Sequence, residues 1–227
     1  MGIKERQERD REAVRRAILD AARELFVRDG FENVSMRKIA ELVEYSPAAI
    51  YGYFPSKDDI FFALAEEGFK LLCGDRCDRG AFEALPPLDR VRAIFWRFYV
   101  FSLEHPQYFA LMFVERSVPR LNRDYERVSL AGQLKQDLLA HVRAAAEAGS
   151  LPSAVPPEAI VRFLSAPLLG LATSRLSNRL APDEDTDALA RDLIEITIAG
   201  LQAGLPLRSS GSCCPLGGTE PTESVQA

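Results

Sequence analysis

The sequence predicts an all-α protein: a small three-helix unit at the N-terminus followed by a larger helical body. Three observations carry that prediction. Apolar residues recur every three or four positions through residues 11–29 and again in long segments beyond residue 80. No segment shows a convincing run of period-two alternation. Prolines and helix-capping residues punctuate the chain at intervals that suit ordinary helices.

Residues 11–29 place Val14, Ile18, Ala21, Ala22, Leu25 and Phe26 at helical spacing, and Gly30 follows where a left-handed cap would fall. Ser35 can cap a short helix that buries Ile39, Ala40 and Val43. Ser46 before Pro47 is a cap with proline at the first helical position, where its missing N–H costs nothing. Ser56, with Asp59 three residues on, resembles a capping box opening a helix through Ile60, Phe61 and Leu64. Farther along, helices are expected over 88–104, 106–116, 124–148, 157–180 and 185–203. Pro86-Pro87, His105-Pro106, Pro119, Pro152, Pro156-Pro157 and Pro182 mark their borders. From about Pro206 the chain has almost no large apolar residues, so residues 206–227 are expected to form a disordered tail.

The 227 residues carry 28 Lys+Arg against 33 Asp+Glu, a net charge of -5, and 47% are hydrophobic. Such a chain can bury a core as one large domain or as two unequal ones. Its acidic balance argues against coating nucleic acid through net charge alone, so any DNA contact would need a local surface. The acidity is unevenly placed: residues 1–57 hold 11 Lys+Arg and 10 Asp+Glu, leaving 17 against 23 in the rest. Lys4, Arg6, Arg9, Arg11, Arg15 and Arg16 face four acidic residues within positions 1–16. That arm could reach a groove or phosphates, although a solvated, salt-bridged helix start is the commoner use of such a run.

No stretch approaches roughly 18 uninterrupted apolar residues, and the first residues mix both charge signs, so neither a membrane span nor a signal peptide is expected and the cytoplasm is the simplest compartment. Four cysteines, Cys73 and Cys77 plus the adjacent Cys213 and Cys214, are too few for a disulfide scaffold and do not follow a zinc-site spacing. A Gly-rich phosphate loop, a nucleophile elbow and a paired His–carboxylate motif are all missing from the sequence. No catalytic residue, cofactor or metal is therefore expected, and the chain is not read as an enzyme.

Residues 35–54 are the most informative. A helix of about two turns, a turn at Glu44-Tyr45 and a very short helix from Pro47 to Phe54 make helix-turn-helix geometry. In that motif the second helix presents its N-terminal residues to base edges in the major groove. Pro47, Ala48 and Ala49 would face the groove; they can touch thymine methyls but make no bidentate hydrogen bonds. Ser35 and Arg37, Tyr51 and Tyr53, and Lys57 surround that tip with the hydroxyl, guanidinium and ammonium donors that phosphate oxygens need. The plainer alternative is that the tyrosines are half-buried helix residues and Lys57 a solvated charge.

Residues 11–67 resemble the DNA-binding domain of the TetR family of transcriptional regulators. The resemblance runs through Ile18-Leu19-x-Ala21-Ala22-x-x-Leu25-Phe26, Gly30-Phe31, Ser35-Met36-Arg37-x-Ile39-Ala40 and Ile50-Tyr51-x-Tyr53-Phe54-Pro55-Ser56-Lys57. It implies a helix-turn-helix DNA-binding domain over 11–67, a ligand-binding and dimerisation domain over 68–205, and a homodimeric repressor released from a palindromic double-stranded operator by a small molecule; residues 1–10 ahead of it are expected to be a flexible arm. Ser35, Met36 and Arg37 correspond to the helix that grips phosphates, Pro47, Ala48 and Ala49 to the recognition tip, and Tyr51, Tyr53 and Lys57 to backbone clamps. Glu44 departs from the family's usual glycine in the turn. At positive φ it would cost on the order of 1 kcal/mol.

Residues 91–114 are crowded with aromatic side chains. Trp96, Tyr99, Leu103, Met112 and Phe113 are the candidate lining of a pocket for a small, largely apolar inducer. A helical stripe of aromatics is more often plain core. The run Leu103-Glu104-His105-Pro106 with Leu111-Met112-Phe113 also resembles the C-terminal domain of one subgroup of that family. The subgroup often shows Trp and His-Gly in a later helix, where this chain has Ser165, Leu169 and Gly170. Phe163, Leu164, Leu168 and Leu171, with Leu193 and Ile196 on the last helix, are the candidate dimer interface, a four-helix bundle made with a symmetry mate. Gly170 would permit close approach, and Pro167 should kink its helix; an intramolecular core is the alternative. A rival sensing mode uses Cys73 and Cys77, four apart, as thiolates for a soft metal; His105 and His141 add no ligand cluster. A third possibility is a helical protein that binds no DNA, with residues 35–57 as ordinary core.

Overall fold

The computed structural model describes residues 2–74, 79–119 and 129–204, and every regular element among them is helical. α1 spans Ile3–Asp29. The arm expected to be flexible over residues 1–10 is instead helical from Ile3, which corrects that expectation. No glycine or proline interrupts residues 3–29, Glu, Arg, Gln, Lys and Ala favour the helix, and the Gly2 N–H donates to Glu5 Oε2 at 2.9 Å. The helix stops at Gly30, whose φ of 80° suits glycine and whose N–H reaches the Phe26 carbonyl at 3.1 Å.

α2 (Met36–Leu42), α3 (Pro47–Tyr51) and α4 (Lys57–Cys73) follow. Each begins with the serine that the sequence proposes. Ser35 Oγ accepts from Lys38 N, Ser46 Oγ from Ala49 N, and Ser56 Oγ from Asp59 N, each at 3.2 Å. The Ser56 hydroxyl also donates to Asp59 Oδ2 at 2.6 Å, so its box closes through the side chain.

The body contains α5 (Arg79–Ala84), α6 (Pro87–Glu104), α7 (Pro106–Phe109), α8 (Ser129–Glu147), α9 (Pro157–Leu176) and α10 (Thr186–Gln202). α5 was not expected; six residues are too few to leave a periodic signal. α7 runs into a π turn over Ala110–Val114. α9 continues through Pro167 and ends before residue 180, with Asn178 at a left-handed φ of 53°. Residues 124–128 of the expected 124–148 helix, the tail from Pro206, Cys77 and the Cys213-Cys214 pair lie outside the described residues.

Two apolar clusters form the core. The first joins α1–α4 to Phe101, Tyr108, Phe109, Leu111 and Met112 from the body. The second gathers Val91, Phe95 and Tyr99 of α6, Val142 of α8, Leu164 and Leu168 of α9, and Ile194 and Ile198 of α10. Phe98 packs against both. The boundary expected between residues 67 and 68 falls inside α4, because that helix packs along its whole length, from Ile60 to Leu72, in the first cluster, where the body's Tyr108 and Met112 join α1–α4. Gly68 allows the close approach: a Cβ there would collide with the Met112 sulfur.

The dimer face needs correction. Leu164, Leu168 and Leu171 are 1%, 1% and 6% exposed, so they belong to the protomer's own core. With Ile160 they form the row at spacings of four and three that turns inward. Arg162, Ala166 and Gly170 turn outward, Phe163 and Leu193 are half-buried, and Ile196 is 68% exposed. α9 is long and apolar enough, by length and composition, to cross a membrane, yet only 28% of its most apolar window is buried within the protomer.

Candidate nucleic-acid interface

The turn between α2 and α3 is closed twice. Tyr45 N donates to the Ala40 carbonyl at 3.0 Å and Glu44 N to the Glu41 carbonyl at 3.3 Å, the pairing of a Schellman cap. Glu44 takes the left-handed position at φ 59°. The geometry is that of a glycine turn, built here on a residue with a Cβ. α2 is tied to α1 through Asp29, which pairs with Arg28 at 2.9 Å and with Lys38 at 2.6 Å. Those two cations, Arg28 first, hold the Asp29 carboxyl well below the usual carboxylate range.

This frame presents the tip of α3. Pro47 and Ala48 are exposed, Ala49 is half-buried, and Ile50 roots the helix in the core. Ser35 is exposed at the start of α2, and Arg37 is exposed beside Glu41 at 2.9 Å. Tyr51 is 53% exposed. Met36 is 8% exposed with its side chain in the core, so only its backbone amide could meet a phosphate. Tyr53 is half-buried beneath the Arg11 guanidinium, 5.9 Å from the ring centroid. Lys57 Nζ donates to the Phe31 carbonyl at 2.7 Å and sits 4.1 Å over the Phe31 ring. Part of its hydrogen-bonding capacity therefore fixes α4 to the turn after α1. Sequence reasoning gave no role to Tyr45, exposed beside the tip, or to the stacking of Arg11 and of Arg15, which lies 5.2 Å over Phe54. The spacing of those arginines, four apart on α1, was the available signal.

The five proposed pocket residues are divided between the two apolar clusters. Trp96, Tyr99 and Leu103 belong to the C-terminal cluster, whereas Met112 and Phe113 belong to the one shared with α1–α4. Phe113 packs edge-on against Phe69 and Phe98. Trp96 lies under the Arg191 guanidinium at 4.0 Å, and the buried Tyr99 hydroxyl donates to Asp187 Oδ1 at 2.7 Å beside Thr186. Burial, with Asp187, pushes the Tyr99 phenol above its ordinary value. Two clefts lie elsewhere, at the junction of the two parts. One, of about 370 Å³, is lined by Phe26, Val27, Leu111, Val114 and Glu115; the other, of about 520 Å³, by Ala17, Asp20, Arg23, Leu42 and Gln107. None of the five residues lines either cleft.

A polar network crosses that junction. Arg23 Nη1 donates to the Tyr108 hydroxyl at 2.8 Å, and that hydroxyl donates to Glu67 Oε2 at 2.6 Å. Glu67 also pairs with Arg16, and Arg23 pairs with Asp20 at 3.0 Å and donates to Gln107 Oε1 at 3.1 Å. Desolvation, followed by Glu67, raises the Tyr108 phenol. α1, α4 and α7 thus meet at one hydroxyl. Among the described residues no three His, Cys, Asp or Glu converge as a metal-holding group, and Cys73 is exposed at the end of α4.

A helix-turn-helix mounted on a helical body that shares its core defines a DNA-binding transcriptional regulator. The profile of the "Bacterial regulatory proteins, tetR family" matches residues 18–64, and that of the "Tetracyclin repressor-like, C-terminal domain" matches residues 91–197. The chain belongs to the TetR family. It is 31% identical over 173 residues to the nucleoid occlusion factor SlmA of Vibrio atlanticus, covering 70% of this chain and 83% of that one. It is 25% identical over 200 residues to the HTH-type transcriptional repressor AcnR of Corynebacterium diphtheriae, covering 83% and 93%. The crystal structure of the transcriptional regulator FadR from Bacillus subtilis in complex with stearoyl-CoA shares the fold, with a TM-score of 0.65 at 17% identity over 81% of this chain and 97% of that one.

Proposed function

We propose that this protein is a homodimeric cytoplasmic repressor that occupies a palindromic operator and leaves it when a small, largely apolar molecule binds the helical body. The observation that carries the reading is the exposed tip of α3, Pro47 and Ala48, with Ser35, Arg37 and Tyr51 also exposed on the same helix-turn-helix. Names of relatives support it: AcnR is a repressor, and FadR was solved with stearoyl-CoA. The tie from α1 and α4 to the body through Arg23, Tyr108 and Glu67 supports ligand control, because a shift of α7 must repack groups that position the reading helices. Pairing of protomers through the outward face of α9 and α10 would cover Phe163, Leu193 and Ile196 and set two reading helices on two half-sites.

The test is salt-dependent binding of the purified chain to palindromes from its own promoter region. Affinity should fall steeply with salt, and Tyr51→Ala should weaken binding by roughly 10-fold without lowering thermal stability. Binding that ignores salt, or is untouched by that change, overturns the reading. Replacement of Cys73 and Cys77 by serine should leave release by an organic inducer intact; abolished release would transfer sensing to the thiols.

A further inference from the structure

α3 brings no charged side chain to its tip, so holding DNA requires cations placed nearby, since phosphate neutralisation carries the salt-dependent part of affinity. α1 has them. From Lys4 to Ala13 every residue of this helix is exposed, and only Val14, Ile18 and Leu19 begin to enter the core. At 1.5 Å per residue that is roughly 15 Å of rod standing clear of the domain. Its base is anchored beside the reading helix: Arg15 lies 5.2 Å over Phe54 and Arg11 5.9 Å over Tyr53. Lys4, Gln7, Arg11 and Arg15, at spacings of three and four, lie along one helix face. Glu8 borders this row, while Glu5, Asp10 and Glu12 fall on other faces. The row that starts over Tyr53 and Phe54 therefore continues outward as Gln7 and Lys4.

We propose that the exposed turns of α1 are a second DNA-contacting element, with Arg11 and Lys4 binding phosphate oxygens beside the groove that α3 enters. The proposal rests on the operator reading above. Its partner is the sugar–phosphate backbone: a helix about 10–12 Å across does not fit a minor groove about 6 Å wide, so this rod rides on the strand where an extended arm would enter the groove. The Arg11 guanidinium, 5.9 Å from the Tyr53 ring centroid, is a planar fork whose N–H groups suit a phosphate. Direct readout by α3 is thin, and the rod adds affinity and orientation without reading sequence.

The experiment measures log affinity against log salt for the full chain on its operator. In the double variant Lys4→Gln with Arg11→Gln, the slope should flatten by about 0.9 for each phosphate no longer neutralised, or about 3.6 over two protomers, with thermal unfolding unchanged. Arg11→Lys alone should keep the wild-type slope, because it preserves the charge. A double variant with the wild-type slope overturns the proposal. So does an Arg11→Lys variant that loses affinity together with thermal stability, which would assign Arg11 to packing on Tyr53. If the wild-type chain shows no salt-dependent operator binding, the operator reading fails before the variants are compared.

Discussion

Glu44 illustrates how single residues are set in this protein. Its φ of 59° places a Cβ against the following carbonyl, a strain of about 1 kcal/mol that glycine would not carry. Glu44→Gly should raise stability by roughly 0.5–1 kcal/mol, less than the full strain because glycine loses more chain entropy on folding, and thermal unfolding would register it as a higher Tm. A lower Tm would show that the Glu44 side chain stabilises the turn by contacts of its own. The strain was foreseeable, since a two-helix turn of this length needs a left-handed residue wherever it stands. Other residues were opaque. Met36 looks like a surface neighbour of Ser35 and Arg37, yet its side chain is buried, and Lys57 reaches a carbonyl 26 residues away. Bonds of that span leave no trace in local spacing.

Among the elements, the caps were the most legible part. Ser35, Ser46 and Ser56 each satisfy the amide three residues on, a bond that depends only on residues close in sequence. α3 depends on its cap most, being five residues long. Ser46→Ala should cost about 1 kcal/mol, and operator affinity should fall by a larger factor than Tm alone would suggest, because the loss is concentrated in the reading helix. Titration of operator beside a melting curve checks this; equal affinity at reduced stability would show that DNA restores the helix. The start of α1 was misjudged because apolar periodicity begins at Val14 while helix propensity continues to Ile3. α9 resisted sorting for the opposite reason. It is apolar on nearly all sides, so sequence alone could not decide that Leu164 turns inward and Phe163 stays half-covered; packing against α6 and α10 decides it.

At the scale of the whole molecule, the outward face of α9 and α10 sets the next test. Ile196 projects from α10 at 68% exposure and touches no described core, so a charge there should leave the protomer folded. Ile196→Arg is expected to convert a dimer to monomers in sedimentation and to weaken operator binding at least about 10-fold, with helical content retained. A dimer that survives the change would place the pairing surface elsewhere. That uncovered face also has a consequence for the cell. If the form that reads DNA is assembled from two identical chains, its amount below the pairing concentration varies with the square of the chain produced, so halving synthesis would cut that form about four-fold, and occupancy of an unsaturated promoter with it. The apolar stripe on α9 and α10 would then make the regulated promoter answer to the dosage of the regulator's own gene, with a threshold that no single reading helix could create.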